Sequence, residues 1–553
     1  MSLYSVALIV LFILGAAYFA YGRVLARFFR LNPDVQTPAA AVNDGVDFVP
    51  TPKRFLLGQH FSAIAAAGPI VGPILAALWF GWLPVLLWIL FGSIFFGAAH
   101  DFSSMVGSVR HGAKSIVEIV RDVFGRRGYL VFLAFVWLSL IYVITAFTDL
   151  TSASFVNPEL GGGVATSSIM YLLIGLAMGV CLHRFKMPLP LATLVFVPLV
   201  GVSIWYGQSF PTVIPAMGPL SPQQIWNVIL LVYCLIASVT PVWLLLQPRG
   251  YLGGFFLYAT LAAGVLGLFI GGEKIAYPAF LGFTAPNGLP LFPLLFVTVA
   301  CGACSGFHGI VCSGTTSKQI AKEPDCQMVG YGGMLLEALV AFIALATVMI
   351  LAKGSELTGA SPDRIYAEGL SRFVQHLGIP REFARSFTLL AFTTFIYDTL
   401  DVATRLTRHL FQELTGWKGW SGRIGATVVS LVAPLICVSL TMTDAAGHVI
   451  PAWKIFWTIF GTSNQLLAAL TLMILSAWLL RSGKRATPIL LPMFFMMAVT
   501  VCALATMIVP ALAAGKVDLV TLIAISLLVL AVLLIVEAVK SGRPEIKYSV
   551  NNP

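Results

Sequence analysis

The chain has 553 residues, of which 58% are hydrophobic and only 10% charged, with a mean hydropathy of +0.92. A soluble chain needs about a quarter of its residues charged to cover its surface, so soluble enzymes and soluble binding domains are excluded and a polytopic membrane protein is expected. The net charge of +10 would point to nucleic acid only if the basic residues had no other account, and their placement in loops supplies one.

Apolar runs of about 20 residues, the length that crosses a bilayer core, begin at residues 2–22, 58–80, 83–109, 129–149, 165–183, 188–207, 224–246 and 251–271. They continue at 290–316, 328–352, 386–404, 423–441, 453–480, 486–512 and 517–538. The expectation is an all-α protein of about fifteen transmembrane helices. With the N-terminus outside, one set of alternate loops collects 25 of the 33 Lys and Arg residues. That set runs from Arg23, Arg27 and Arg30 to Arg481, Lys484, Arg485 and Lys540, with Arg249 in a short loop between two spans. Such an excess marks the cytoplasmic side and puts the C-terminus inside.

The first run lacks a basic leader and is followed by arginines, so it is expected to be an uncleaved helix. Residues 31–52 form a Pro- and Asp-containing cytoplasmic linker, and Ser115–Phe124 suits a short amphipathic surface helix. Residues 353–385 make the largest extracytoplasmic insertion, too poor in apolar residues for a core of its own and at most a lid. The whole is one integral membrane domain.

Two spans break their own rules. Unpaired backbone in hydrocarbon costs several kcal/mol per group unless it lines a cavity or packs in protein. The first break holds Gly68, Pro69, Gly72 and Pro73 in mid-membrane; the second holds Cys301, Cys304, Ser305, Gly306 and His308, then Ser313, Gly314, Thr315 and Thr316. By the loop charges the first span runs outward and the second inward. Opposed interrupted helices in the two halves of a chain point to an inverted-repeat secondary transporter whose half-helix ends bind substrate and ion. Each cluster alone would equally suit a kink or close helix packing.

Ionisable residues inside spans are the second clue. Glu337 falls roughly 14 Å into its span at 1.5 Å per residue, near the midplane, where a carboxyl can carry a proton or serve as a structural hydrogen-bonder. His100 and Asp101 sit nearer the cytoplasmic end of their span, as suited to anchoring as to function. Asp401 and Arg405 at i, i+4 can pair, leaving Asp398 as the unpaired candidate. His60 and His308 stand at the two interruptions, where a polar core role competes with a binding one. Gly461 to Gln465 places neutral amides in an apolar helix, usually as interhelical glue.

Other signatures are weak. Cys301, Cys304, Cys312 and His308 could approach a metal, but intramembrane cysteines are more often small buried hydrophobes, and no metal or cofactor is expected. Ser313 to Lys318 lacks the order of a phosphate-binding loop, so ATP hydrolysis is excluded as the driving force. No nucleophile constellation supports a membrane enzyme.

Six runs carry a resemblance: Gly58-Gln59-His60-Phe61 with Ala66 to Pro73; Pro241 to Arg249; Cys304 to His308 with Ser313 to Thr316; Gly330 to Glu337; Thr399 to Leu406; and Phe460 to Leu467. In this order, over about residues 1–485, the chain resembles the carbon starvation protein A family. The resemblance implies a bacterial or archaeal inner-membrane transporter that scavenges peptides during nutrient limitation. Proton-coupled pyruvate uptake is the alternative in the same family. It further implies a LeuT-like, five-plus-five inverted core, although the breaks fall in spans two and nine, so either two helices are inserted or fifteen is the wrong count. The expected substrate-binding residues are His60, Gly68, Pro69, Gly72, Ser305, Gly306, His308 and Thr315, and the expected proton-coupling residues are Glu337, Asp398 and Asp401. A channel or a nutrient sensor is the rival from another class; a channel would pass flux without saturation or accumulation.

Overall fold

The computed structural model describes residues 2–44, 48–241, 243–286, 288–440, 442–443, 449–515 and 517–540. The chain opens with α1 (Leu3–Phe19), α2 (Tyr21–Phe28) and the short α3 (Pro38–Val42). An interrupted pair follows, α4 (Lys53–Ile64) and α5 (Gly68–Phe80), bent by 52°. Gly81, at φ +88°, turns the chain into α6 (Trp82–Gly92), which passes through a π turn at Ser93–Gly97 into α7 (Ala98–Arg110). Next come α8 (Ile116–Phe155), α9 (Gly161–His183), α10 (Leu189–Ser209), α11 (Pro222–Val239) and α12 (Leu246–Gly271).

Three short helices, α13 (Leu291–Thr298), α14 (Ala300–Ala303) and α15 (Gly306–Gly314), occupy the second interrupted region. A π turn at Gln327–Tyr331 leads into α16 (Gly332–Met349), then α17 (Pro362–Gln375), α18 (Arg381–Thr415) and α19 (Gly419–Ser439). The chain ends with α20 (Ala452–Arg481), α21 (Thr487–Ala513) and α22 (Leu519–Lys540). The one strand pair described joins Met442–Thr443 to Val449–Ile450.

Twelve helices among the described residues are long and apolar enough to cross a bilayer, thirteen if α4–α5 counts as one. The expected fifteen also counted 290–316 and 386–404. The first folds as three pieces, each too short to span. The second lies within α18, whose 35 residues include Asp398, Asp401, Arg405 and Arg408.

The short helix expected at Ser115–Phe124 is present as the first turns of α8, set off from the rest by a kink at Gly125, whose φ is +76°. Its start is fixed by Ser115 and Glu118, which cap each other's backbone N–H groups. Residues 353–385 do not stand apart as a cap. They contain α17, which buries Ile365, Tyr366, Leu370, Phe373 and Val374 against α5, α12, α16 and α18.

The centre of the bundle is the span from Gln327 to Met349, 83% buried, whereas Leu189–Ser209 at the periphery is 28% buried. Peripheral helices present large apolar side chains outward, among them Phe12, Leu194, Ile270 and Leu491. Lipid, being as apolar as these side chains, leaves no hydrophobic force to hold helices together, so close backbone approach must do it. Glycine provides it at the centre: a Cβ on Gly72 would meet the Thr298 carbonyl, and one on Gly461 the Val297 carbonyl.

Candidate functional site

The two interrupted regions lie against each other and run antiparallel. His60 in α4 touches Cys312 and Thr316, Gly68 faces Cys301, and Gly72 faces Thr298. Numbers rise along one strand of the pair as they fall along the other. Opposed interruptions in the two halves of the chain, expected from the sequence, are thus present and adjacent.

The first break is displaced from where the prolines suggested. The helix is interrupted at Ala65–Ala67, and α5 begins at Gly68. Pro69 occupies its first turn, where a missing N–H costs nothing because that group would be unbonded anyway, and Pro73 is accommodated inside the helix. The second break is at Cys304–Ser305, both extended. Asn464 of α20 stabilises it: its Oδ1 accepts from the Phe307 N–H at 2.9 Å, and its Nδ2 donates to Ser305 Oγ at 3.0 Å. An amide expected as interhelical glue therefore caps the half-helix. Gly306 allows this, since a Cβ there would strike the backbone of α20.

His308, one turn into α15, joins three elements. Its Nδ1 lies 2.8 Å from Asp101 Oδ2 on α7, and its Nε2 lies 3.1 Å from Glu337 Oε2 on α16. The second approach is close enough for charge pairing but lacks hydrogen-bond alignment, and Glu337 Oε1 has no hydrogen-bond partner among the described residues. Asp101 Oδ1 is held by His100 Nδ1 at 2.8 Å. All four side chains are at most 1% exposed. His100 and Asp101, which sequence position placed towards the membrane surface, are thus central. The π turn before α7 and the turns of α16 carry their acids to opposite sides of one imidazole.

His60 sits beside this group, with Nδ1 2.9 Å from Thr316 Oγ1. Gly333 leaves room for its ring, since a Cβ there would come within 2.9 Å of His60 Cδ2. Thr315, the expected binding residue, is exposed, and its neighbour Thr316 takes the buried position. Gly68, Pro69, Gly72, Ser305 and Gly306 are all buried where the two breaks meet. The breaks pack directly on each other.

Asp398 and Asp401 belong to a second buried cluster. The sequence expectation that Asp401 pairs with Arg405 and leaves Asp398 free is not met. Arg249, expected in a loop, is inside α12 and 1% exposed. It donates to Asp398 Oδ1 from Nε at 3.0 Å and from Nη2 at 2.7 Å, and its Nη1 lies 2.6 Å from Asp401 Oδ2. Tyr233 donates to the same Asp401 oxygen at 2.8 Å, and the guanidinium lies over the rings of Tyr233 and Tyr397. A fully buried arginine needs carboxylate partners more than a partly exposed one such as Arg405 does. Arg405 instead donates to the Ala237 and Thr240 carbonyls, both at 2.7 Å.

A further buried carboxylate gave no sequence signal. Asp149 of α8 accepts from Trp453 N–H at the start of α20 at 2.8 Å, and from Gln223 and Asn227 of α11. It acts as a helix cap supplied from another element.

The family model for carbon starvation protein CstA matches residues 1–365 and 354–503. The peptide transporter CstA of Bacillus subtilis is 32% identical over 84% of this chain and 83% of its own length. The peptide transporter CstA of Escherichia coli is 29% identical over 85% and 76%. The pyruvate/proton symporter BtsT of Escherichia coli is 28% identical over 83% and 75%. A solved manganese transporter from Eremococcus coleocola aligns with TM-score 0.46 at 13% identity, over 90% of this chain and 99% of that one. The relatives are named as transporters rather than enzymes, and the chain, an integral membrane protein, belongs to the carbon starvation protein CstA family.

Proposed function

We propose that this protein is a secondary active transporter that imports peptides across a bacterial inner membrane during carbon starvation, coupled to protons. The observation that carries the coupling is the bridge from Asp101 through His308 to Glu337, which ties a half-helix of the second break to two fixed spans. With both ring nitrogens protonated, His308 can serve both carboxylates. A proton delivered to Glu337 removes its charge and loosens α15 from α16, so protonation and opening become one event. Peptide names among the relatives support the substrate class.

The opposed breaks support a LeuT-like inverted core, with substrate between Gly68–Gly72 and Ser305–His308 once the halves separate. His60, Pro69 and Gly306 would line that space, and Thr315, exposed, would meet substrate at its mouth. Asp398 and Asp401, balanced against Arg249, form a second candidate proton site. The loop charges support an N-terminus outside, a C-terminus inside and a cytoplasmic linker at 31–52. A monocarboxylate substrate is favoured by one observation, the pyruvate symporter among the relatives.

Uptake of a labelled dipeptide into proteoliposomes carrying an inward proton gradient tests the proposal. Accumulation competed by unlabelled dipeptides and unaffected by pyruvate is expected. Competition by pyruvate alone would replace peptide with monocarboxylate, and flux without saturation or accumulation would reject a transporter.

A further inference from the structure

We infer that His60, Cys312 and Asp101 form a binding site for a divalent transition-metal ion of the zinc class, which clamps the two interrupted helices together. Their ligand atoms all lie within 4.8 Å of one another, and all three side chains are buried. His60 Nε2 and Cys312 Sγ are 3.7 Å apart. Two ligands on one tetrahedral ion, with Zn–S about 2.3 Å and Zn–N about 2.0–2.1 Å, stand roughly 3.6 Å apart.

The surroundings orient each ligand. With its Nδ1 proton given to Thr316 Oγ1 at 2.9 Å, His60 turns the lone pair of Nε2 towards Cys312. His100 and His308 hold the Asp101 carboxylate, each at 2.8 Å, leaving a further lone pair on each oxygen. Such outer contacts are what fix metal ligands in place. The mix of thiolate, imidazole and carboxylate selects zinc or cobalt over magnesium or calcium.

Of the four residues that cysteine spacing suggested, this site keeps only Cys312. Cys301 lies at Gly68 and Asn464, and His308 is engaged by Asp101 and Glu337. The three ligands come from α4, α7 and α15, and α4 and α15 are one half of each interrupted helix. An ion here therefore joins elements that must part for a buried site to open, and it would hold the molecule closed.

The test uses the purified full-length protein, without a polyhistidine tag, titrated with Co²⁺ alone. A thiolate-to-cobalt charge-transfer band in the near ultraviolet is expected, absent in Cys312→Ala and retained in Cys502→Ala, whose cysteine is exposed. Absence of the band from the wild type, or equal intensity in Cys312→Ala, would overturn the site independently of what is transported. A second arm, which rests on the transport proposal, measures uptake with added Zn²⁺. Inhibition weakened more than about tenfold in Cys312→Ala, with its zinc-free uptake kept, supports the clamp, and equal inhibition in both proteins overturns it.

Discussion

Asn464 Oδ1 and the backbone N–H of Phe307 meet at 2.9 Å, so that a side chain of α20 caps a helix that begins in the middle of the protein. With Asn464 only 4% exposed, water does not replace the bond. Asn464→Ala should cost about 1–2 kcal/mol, as loss of a cap does. Asn464→Asp, which keeps the acceptor but loses the donor to Ser305 and buries a carboxylate without a cation, should cost more. Thermal unfolding in detergent checks the order.

Gly72 is required by space. Any side chain there meets the Thr298 carbonyl, a backbone atom that cannot swing aside. Gly72→Val should separate the two interrupted helices and abolish recovery of monodisperse protein. Gly15→Ala, with nothing within 4 Å of its Cβ, should stay within about 0.5 kcal/mol of wild type. Fluorescence-detected size exclusion distinguishes the two.

Arg249→Ala leaves Asp398 and Asp401 buried without their cation, a loss of about 3–5 kcal/mol. Adding Asp398→Asn and Asp401→Asn to it should recover part of that loss, because no charge is then left unpaired. A melting temperature for the triple variant at or below that of Arg249→Ala would show that the three do not act as a unit.

Glu159 lies in the loop between α8 and α9, beside Arg385 and Arg364. The hydrogen bond from Arg385, followed by the charge of Arg364, holds its carboxyl below the ordinary 4.5. A depressed folded value means stabilisation that is full above the unfolded value and is lost as pH falls through the folded one. Glu159→Gln should therefore melt slightly lower than wild type at pH 7, and the gap should close on acidification below the glutamate range. An exposed pair makes the gap small.

The membrane class and most helices were legible because hydrocarbon imposes a length and a composition on every span. The opposed breaks were legible too, since Gly and Pro mark them, although Pro69 proved a helix starter and Ala65–Ala67 the gap. Long-range pairing was not. Arg249 is about 150 residues from its partners, within a helix whose early turns resembled a basic loop, whereas Arg405, close in sequence, was the visible choice. Asp101 was undervalued because depth was counted from one end of a span, and only packing of α7 on α15 brings it to His308. Thr316 and Cys312 likewise acquire meaning only once α4 lies alongside.

The central claim, that Glu337 opposite His308 links a proton to opening, is tested most directly by Glu337→Gln in proteoliposomes, with gradient-driven uptake and substrate counterflow measured on the same vesicles. The account predicts that accumulation driven by the proton gradient is lost while counterflow persists. Undiminished proton-driven accumulation by this variant would contradict it.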